Sequence, residues 1–268
     1  MNDGTKNIIE VENLVKVFDE RAVLDGINLG IPEGKITVIM GGSGCGKSTL
    51  LRHLVGLTTP TQGNITVDGE TIVNVSENAM NKARRKFGML FQGSALFNSL
   101  TVGENVALPL REHTGLEQSI IDIIVKVKLE LVGLTGFEKF MPYRISGGMK
   151  KRVALARAIV LDPKIVFYDE PGAGLDPITA SMIDQLILDL SRKLKITSVV
   201  VTHEMKSAFR IADKIIILHK GRVLETGTSD EIKNSKNSYV RQFISGEPDG
   251  AIPLIQTSDA YLSGLLET

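Results

Sequence analysis

Gly41-Gly42-Ser43-Gly44-Cys45-Gly46-Lys47-Ser48 decides the fold. The stretch reads G-x-x-x-x-G-K-[ST], a loop whose backbone wraps phosphate oxygens. Before it, Lys35-Ile36-Thr37-Val38-Ile39-Met40 is a short β-branched run that reads as a buried strand. After it, Ser48 to Val55 reads as a helix, with Thr49 in its first turn. Strand, glycine turn and helix are the context the motif requires. Glycines let the chain pass close to phosphate, and N–H groups at a helix start point inward. Lys47 is expected to reach the β- and γ-phosphates, and the Ser48 hydroxyl to hold Mg²⁺. The bare pattern arises by accident in about one chain in a hundred of this length, and its flanks lower that further. No G-x-G-x-x-G fits these residues, so a dinucleotide fingerprint is excluded.

Composition sets the frame around this loop. A length of 268 residues allows one large α/β domain, or one domain with an insertion. A hydrophobic content of 43% supplies a sizeable core. Lys plus Arg number 31, as do Asp plus Glu, so no overall basic field argues for nucleic acid. The single Cys45 excludes an intrachain disulfide framework and fits a reducing compartment. It is read either as a small neutral loop residue or as a reactive thiol. No apolar run approaches the roughly 18 residues of a membrane span. Met1 to Lys6 is polar, without a signal-peptide core. The expected location is the cytosol, unless a partner holds the chain at a membrane.

Upstream of the loop, Ile8 to Phe18 and Ala22 to Ile31 read as strands, and Asn64 to Val67 with Asp68-Gly69 as strand and tight turn. An antiparallel unit is therefore expected to flank a parallel core. Phe18 is either a core residue or an aromatic shelf for adenine. Lys86 to Phe91 reads as a strand ending at Gln92. Leu100 to Tyr143 is helical in character, with a first helix ending at Pro109 and Ile120, Ile124, Val127 and Leu131 sharing one face of the next. Ile145-Ser146-Gly147-Gly148-Met149 opens an amphipathic helix to Val160. Its Ser and glycines are either an ordinary helix cap or a second anion site. Ile165-Val166-Phe167-Tyr168 is a buried strand that delivers Asp169 and Glu170 to its C-terminal edge, where α/β proteins bind ligands. Asp169 suits Mg²⁺, and Glu170 suits orienting or deprotonating an attacking water. Ile196 to Thr202 is another buried strand, and His203 at its end is either structural or a γ-phosphate contact. A hairpin follows, and then a helix from Thr228 to Phe243 with Ser229 as its cap. From Ser245 onward Gly and Pro punctuate a tail that still carries large apolar residues. It is either a frayed end or a contact to a neighbouring copy.

Phosphate loop, Gln92, Ser146-Gly147-Gly148, Asp169-Glu170, Asp176 and His203, in that order, resemble the motif series of ABC-transporter ATPases. The resemblance spans about residues 8 to 244. It implies a P-loop NTPase of RecA-like α/β fold, with a parallel core, an antiparallel β subdomain and an inserted helical signature subdomain at about 93–160. It implies ATP and Mg²⁺ as cofactors. Gly41, Gly42, Ser43, Gly44, Cys45, Gly46, Lys47, Ser48 and Thr49 would then cradle phosphate. Phe18 would stack on adenine, and Ser48, Gln92 and Asp169 would hold the metal. Glu170, His203, Gln92 and Lys47 would act in hydrolysis. Ser146, Gly147 and Gly148 would complete the site of a second copy. The family's LSGGQ appears here with Ile145 and Met149 at its ends, and Phe18 stands where many relatives have Tyr. Leu90-Phe91-Gln92-Gly93-Ser94-Ala95-Leu96-Phe97 and Asn105-Val106-Ala107-Leu108-Pro109-Leu110-Arg111-Glu112-His113-Thr114 look more narrowly like the ATPase subunits of Mla phospholipid transporters of Gram-negative bacteria. That resemblance implies a permease dimer, a small STAS-domain subunit and a periplasmic MCE-domain ring as partners. It also implies a peripheral position on the cytoplasmic face of the inner membrane. The 245–268 extension would be a dimer contact.

Other classes fit less well. Translation ATPases of this type carry two motif sets in one chain, and DNA-maintenance ones a long coiled coil. This chain has one set and no sustained heptads. A P-loop kinase or GTP switch leaves Ser146 and His203 unexplained, and a non-hydrolysing binding module leaves Glu170 unexplained. An importer ATPase for another substrate is the nearest alternative.

Overall fold

The computed structural model describes residues 6–247 and 250–251. The chain begins with β1 (Asn7–Phe18) and β2 (Arg21–Pro32), then β3 (Ile36–Gly41) and α1 (Lys47–Leu54). β4 (Gln62–Val67), β5 (Glu70–Thr71), α2 (Glu77–Arg84) and β6 (Phe87–Leu90) follow. Three helices come next in sequence, before another strand: α3 (Val102–His113), α4 (Gln118–Leu131) and α5 (Gly147–Ala158). The remainder is β7 (Ile165–Asp169), α6 (Pro177–Leu194), β8 (Thr197–Val201), α7 (Met205–Ile211), β9 (Lys214–His219), β10 (Arg222–Gly227), α8 (Ser229–Lys233) and α9 (Ser238–Ser245).

Two sheets result. One runs β2-β1-β4-β5 and is antiparallel throughout. The other runs β10-β9-β3-β8-β7-β6, parallel except for β10 at its edge. Its inner strands are covered on both faces, which is why they read as unbroken β-branched runs. The period-two pleat sends alternate residues into different cores. Ile39, Phe167, Val199 and Ile216 pack with α1 and the antiparallel sheet. Val38, Tyr168, Val200 and Ile217 pack with the helices on the other face. The parallel core, the antiparallel flank and the helices between β6 and β7 agree with the sequence reading.

Several local expectations are corrected. Pro109 lies inside α3 and does not end it. The proline removes one backbone donor, but buried Val102, Val106 and Leu110 and a Thr101–Glu104 capping box hold the helix on both sides. In α4 the buried residues are Ile121, Val125, Lys128 and Leu129, while Ile120 and Val127 are exposed. Apolar residues cover more than half of this helix's circumference, so its period alone does not choose the inner face. α5 is not amphipathic: Val153, Ala154, Leu155 and Ala156 are all buried. The expected helix over 228–243 is two short ones. Thr228, not Ser229, caps the first through a box with Glu231, and Asn237 caps the second. Phe18 is 46% exposed, which excludes the core reading. Of the tail expected to contact a neighbouring copy, residues 248–249 and 252–268 lie outside the described residues.

Candidate nucleotide site

The phosphate loop joins β3, buried at every position, to α1. Two glycines are obligatory here. A Cβ at Gly41 would sit 2.3 Å from the Leu218 carbonyl oxygen and 2.5 Å from Cys45 Sγ. Gly46, at φ 104°, caps α1, and its Cβ would lie 2.9 Å from the Val23 carbonyl oxygen. The hairpin turn between β9 and β10 supports the loop from below. Gly221 N–H donates to the Cys45 carbonyl at 3.1 Å, and Asp25 N–H donates to the Gly221 carbonyl at 2.9 Å. First-turn amides of a helix have no partner within it, so those of Lys47, Ser48 and Thr49 face an anion-binding position. Val23, Gly44, Gly46, Lys47, Ser48 and Thr49 line a depression of about 220 Å³. Lys47 Nζ donates to the Gly41 and Gly42 carbonyls at 2.7 and 2.9 Å. Gly42 and Ser43 are exposed on the loop, and Cys45 is buried beneath it. Burial pushes the Cys45 thiol pKa up against the opposing pull of Lys47, which disfavours a thiolate.

The carboxylates arrive from β7. Asp169 ends the strand, and burial, reinforced by Glu170, raises its pKa against the pull of Arg52, Lys151 and Lys47. Glu170 has φ 47°, left-handed for a side chain that rarely adopts it. Register pairs Asp169 with Val201 of β8, so the residues that follow each strand meet. Glu170 N–H donates to the Val201 carbonyl at 2.9 Å. One carboxylate oxygen of Glu170 lies 2.9 Å from His203 Nδ1, and the other accepts from Thr202 Oγ1 at 3.3 Å. Thr202 N–H reaches the Ile39 carbonyl, which ties this cluster back to β3. Gln92 follows β6, whose Leu90 pairs with Tyr168, so it lies on the same sheet edge. Lys47 and Ser48 at the start of α1, Asp169 at the end of β7, and Gln92, Glu170 and His203 just past their strands all lie at the C-terminal edge of the parallel strands, where such sheets bind ligands.

Other expected site residues stand apart from the depression. Phe18 lies beyond its lining, at the end of β1, with Lys16 Nζ 5.0 Å from its ring centroid. Ser146 caps α5 by accepting from Met149 N–H at 3.3 Å, and Ser146 and Gly147 are exposed. Gly148 packs against α6, where a Cβ would meet Thr179 Cγ2 at 2.5 Å. Asp176 caps α6 through Ile178 N–H and Thr179 N–H, both at 3.0 Å. The two unusual signature residues serve packing: Ile145 is buried and Met149 packs against the helical core. Two polar contacts were not anticipated. Lys151, buried on α5, donates to the Gln92 and Glu170 carbonyls, and Arg157 donates to those of Ser94 and Ala95. Burial lowers the Lys151 pKa, opposed by Asp169 and Glu170. Between these two residues the run Val153-Ala154-Leu155-Ala156 is apolar and buried, the one sequence signal that this helix is enclosed.

The donor set of Ser48 hydroxyl, Gln92 amide and Asp169 carboxylate is all hard oxygen, and it suits a Mg²⁺ that keeps several waters. Among the described residues there is no cluster of three or more His, Cys, Asp or Glu that would make a denser metal cage. No described helix is long and apolar enough to cross a membrane.

Comparison with known proteins bears on this geometry. Residues 24–173 match the ABC transporter family. The chain is 43% identical to the intermembrane phospholipid transport system ATP-binding protein MlaF of Haemophilus influenzae, over 98% of this chain and 99% of that protein. It is 41% identical to the protein of the same name from Escherichia coli K12, over 99% of each. A probable ribonucleotide transport ATP-binding protein, mkl, of Mycobacterium tuberculosis is also 41% identical, over 94% of this chain and 70% of that one. Among solved structures, a dimeric ATP-binding cassette in a post-hydrolysis state bound to ADP and Pi superposes with a TM-score of 0.76 at 33% identity, covering 82% of this chain and 98% of that one. The cbiO1 protein of Clostridium perfringens, part of the ABC transporter complex cbiONQ, gives 0.80 at 29%, covering 98% and 99%. Matched by the family over residues 24–173 and sharing the fold of its solved members, the chain belongs to the ABC transporter family as one of its ATP-hydrolysing cassettes.

Proposed function

We propose that this chain energises movement of glycerophospholipid between the inner and outer membranes of a Gram-negative bacterium, as the ATPase of an Mla-type complex. The observation that carries this reading is 41–43% identity over 98–99% of the chain to two proteins named for intermembrane phospholipid transport. In this reading residues 8–244 form the ATPase unit, with its helical part at about 93–160, and residues 245–268 are a dimer contact. Gly41 through Thr49 cradle the phosphates of ATP, Lys47 neutralises them and Phe18 stacks on adenine. Ser48, Gln92 and Asp169 would hold Mg²⁺, which would draw charge from the phosphoryl oxygens. Glu170 orients a water and takes its proton, and His203, paired with Glu170, contacts the γ-phosphate. Ser146, Gly147 and Gly148 of a second copy close the site, in keeping with the exposure of Ser146 and Gly147 at the start of α5.

The partners proposed are a permease dimer, a STAS-domain subunit and a periplasmic MCE-domain ring, with the chain on the cytoplasmic face of the inner membrane. A cleft of about 630 Å³ whose lining includes Phe87, Met89, Phe91, Phe97 and Leu108 supports docking of an apolar permease segment between β6 and α3. The test is purification of the intact complex from membranes through a tag on this chain, followed by mass spectrometry of its bound cargo. Recovery of membrane subunits with glycerophospholipid is expected. A nucleoside or nucleotide cargo would instead favour the activity for which the mycobacterial relative is named.

A further inference from the structure

We infer that Lys151 is a positioning residue for ATP hydrolysis, whose ammonium fixes the spacing between Gln92 and Glu170 by holding both of their backbone carbonyls. The inference rests on the roles proposed above for those two side chains. Lys151 is only 4% exposed. Its Nζ donates to the Gln92 carbonyl, and to the Glu170 carbonyl at 3.3 Å. β6 and β7 are parallel neighbours, so Gln92 and Glu170 leave adjacent strand ends, beyond the last register pair Leu90–Tyr168. No direct hydrogen bond is formed between the two residues that must face one phosphate. The ammonium is the group that spans them.

The Glu170 end of the bridge is also the demanding one. A glutamate at φ 47° persists only where its surroundings hold it. Its N–H is fixed by Val201 and its carbonyl by Ala173 N–H and Lys151. Lys151 also lies on α5, the helix that begins at Gly147 behind the Ser146 cap. A shift of α5 therefore moves both carbonyls together, and the signature with them. Burying the ammonium costs desolvation, which the two carbonyls and the nearby Asp169 and Glu170 charges offset, and an apolar side chain of similar length removes those contacts without opening a cavity. A purely structural role is thus separable from a positioning one.

The test uses the full chain with Lys151→Met and Lys151→Gln, measured for kcat, KM, affinity for a non-hydrolysable ATP analogue, and thermal unfolding. Lys151→Met is expected to fold but to unfold below the wild-type temperature, because the Gln92 and Glu170 carbonyls lose their donor. Its kcat should fall about ten-fold or more, the scale on which small misplacements of reacting groups act. Analogue affinity should stay within about three-fold, the pattern of an interaction used in the transition state and not in binding. Lys151→Gln, whose amide still donates to two carbonyls, should recover much of kcat. A Lys151→Met chain with near-normal kcat overturns the inference, as does a loss of analogue affinity that matches the loss of rate. If the Met chain does not fold, Lys151→Leu, which likewise has no donor, decides: a defect in KM with kcat intact overturns it, and a fall in kcat at unchanged KM supports it. Glu170→Gln is run alongside. If that variant turns over normally, the role given to Glu170 fails. If it is inactive while Lys151→Met is normal, only the role of Lys151 fails.

Discussion

Glu170 concentrates the chemistry and the strain of this chain at one residue. Its left-handed backbone costs on the order of 1–3 kcal/mol in an ordinary setting. The return is a carboxylate aimed off the strand axis, gripped by His203 and Thr202. Glu170→Gln is isosteric and preserves those distances while removing the base. We expect ATP binding to persist and steady-state turnover to fall about 10²–10⁴-fold, the scale for loss of a general base. Equilibrium binding and phosphate release on the same preparation check this. The sequence made Asp169 and Glu170 visible because four apolar residues lead straight into them. The grip on Glu170 was not visible, since it depends on the register of two strands whose residues lie some thirty positions apart in the chain, which no local pattern records. Phe18 was ambiguous for a related reason: an aromatic at a strand end is consistent with burial or exposure until the neighbouring sheet is placed.

Among the elements, α3 shows how a helix continues through a proline. Asn105, fully buried, accepts from Phe97 N–H at 2.8 Å through its amide oxygen and donates through its amide nitrogen to the carbonyls of Phe97, Leu100 and Thr101. One side chain thereby replaces the backbone bonds that the 97–101 loop lacks and welds it to the helix start. Asn105→Ala leaves Phe97 N–H and the Leu100 carbonyl without their partner, while the Phe97 and Thr101 carbonyls keep backbone bonds, and we expect a loss of roughly 1–3 kcal/mol, measured by urea unfolding. That loss should come with a more mobile wall to the cleft lined by Phe97. Element type was legible from apolar period and caps; the inner face of α4 was not. Two apolar stripes compete there, and the core chose the one that carries Lys128, whose ammonium pairs with Asp162. The split between α8 and α9 was within reach, because Thr228 with Glu231 makes a capping box that Ser229 does not.

At the scale of the whole molecule, the two sheets are tied by Asp68, which takes Lys86 at 3.0 Å and Lys164 at 2.9 Å. Hydrogen bonds from Lys164 and then Lys86 hold its carboxyl below the usual aspartate range. A carboxyl depressed in the folded state contributes stability above its unfolded pKa, about 3.9, and loses it as pH falls through the lower folded value. Asp68→Asn should therefore be less stable than wild type at neutral pH, by about 1 kcal/mol, since one of its two lysine partners is itself exposed. The difference should vanish in strong acid, as thermal unfolding over a pH series would record. Pairing of two copies is testable by mixing Lys47→Ala chains with Ser146→Arg chains. A mixed pair has one intact site and one doubly damaged site, so activity should return on mixing; full activity from a dilute single copy would refute the shared site. The layer order was legible because motifs arrive in a fixed sequence, whereas strand order was not, since parallel pairings join distant segments. β3 illustrates the consequence. Both of its neighbours, β8 and β9, lie beyond residue 196. A ribosome adding about 5–20 residues per second needs on the order of ten seconds or more to deliver them after the phosphate loop has emerged. Throughout that interval Ile36 to Gly41 is a bare apolar ribbon with two open edges, so the segment that later holds nucleotide is, during synthesis, the part of the newborn chain most in need of shelter from its own kind.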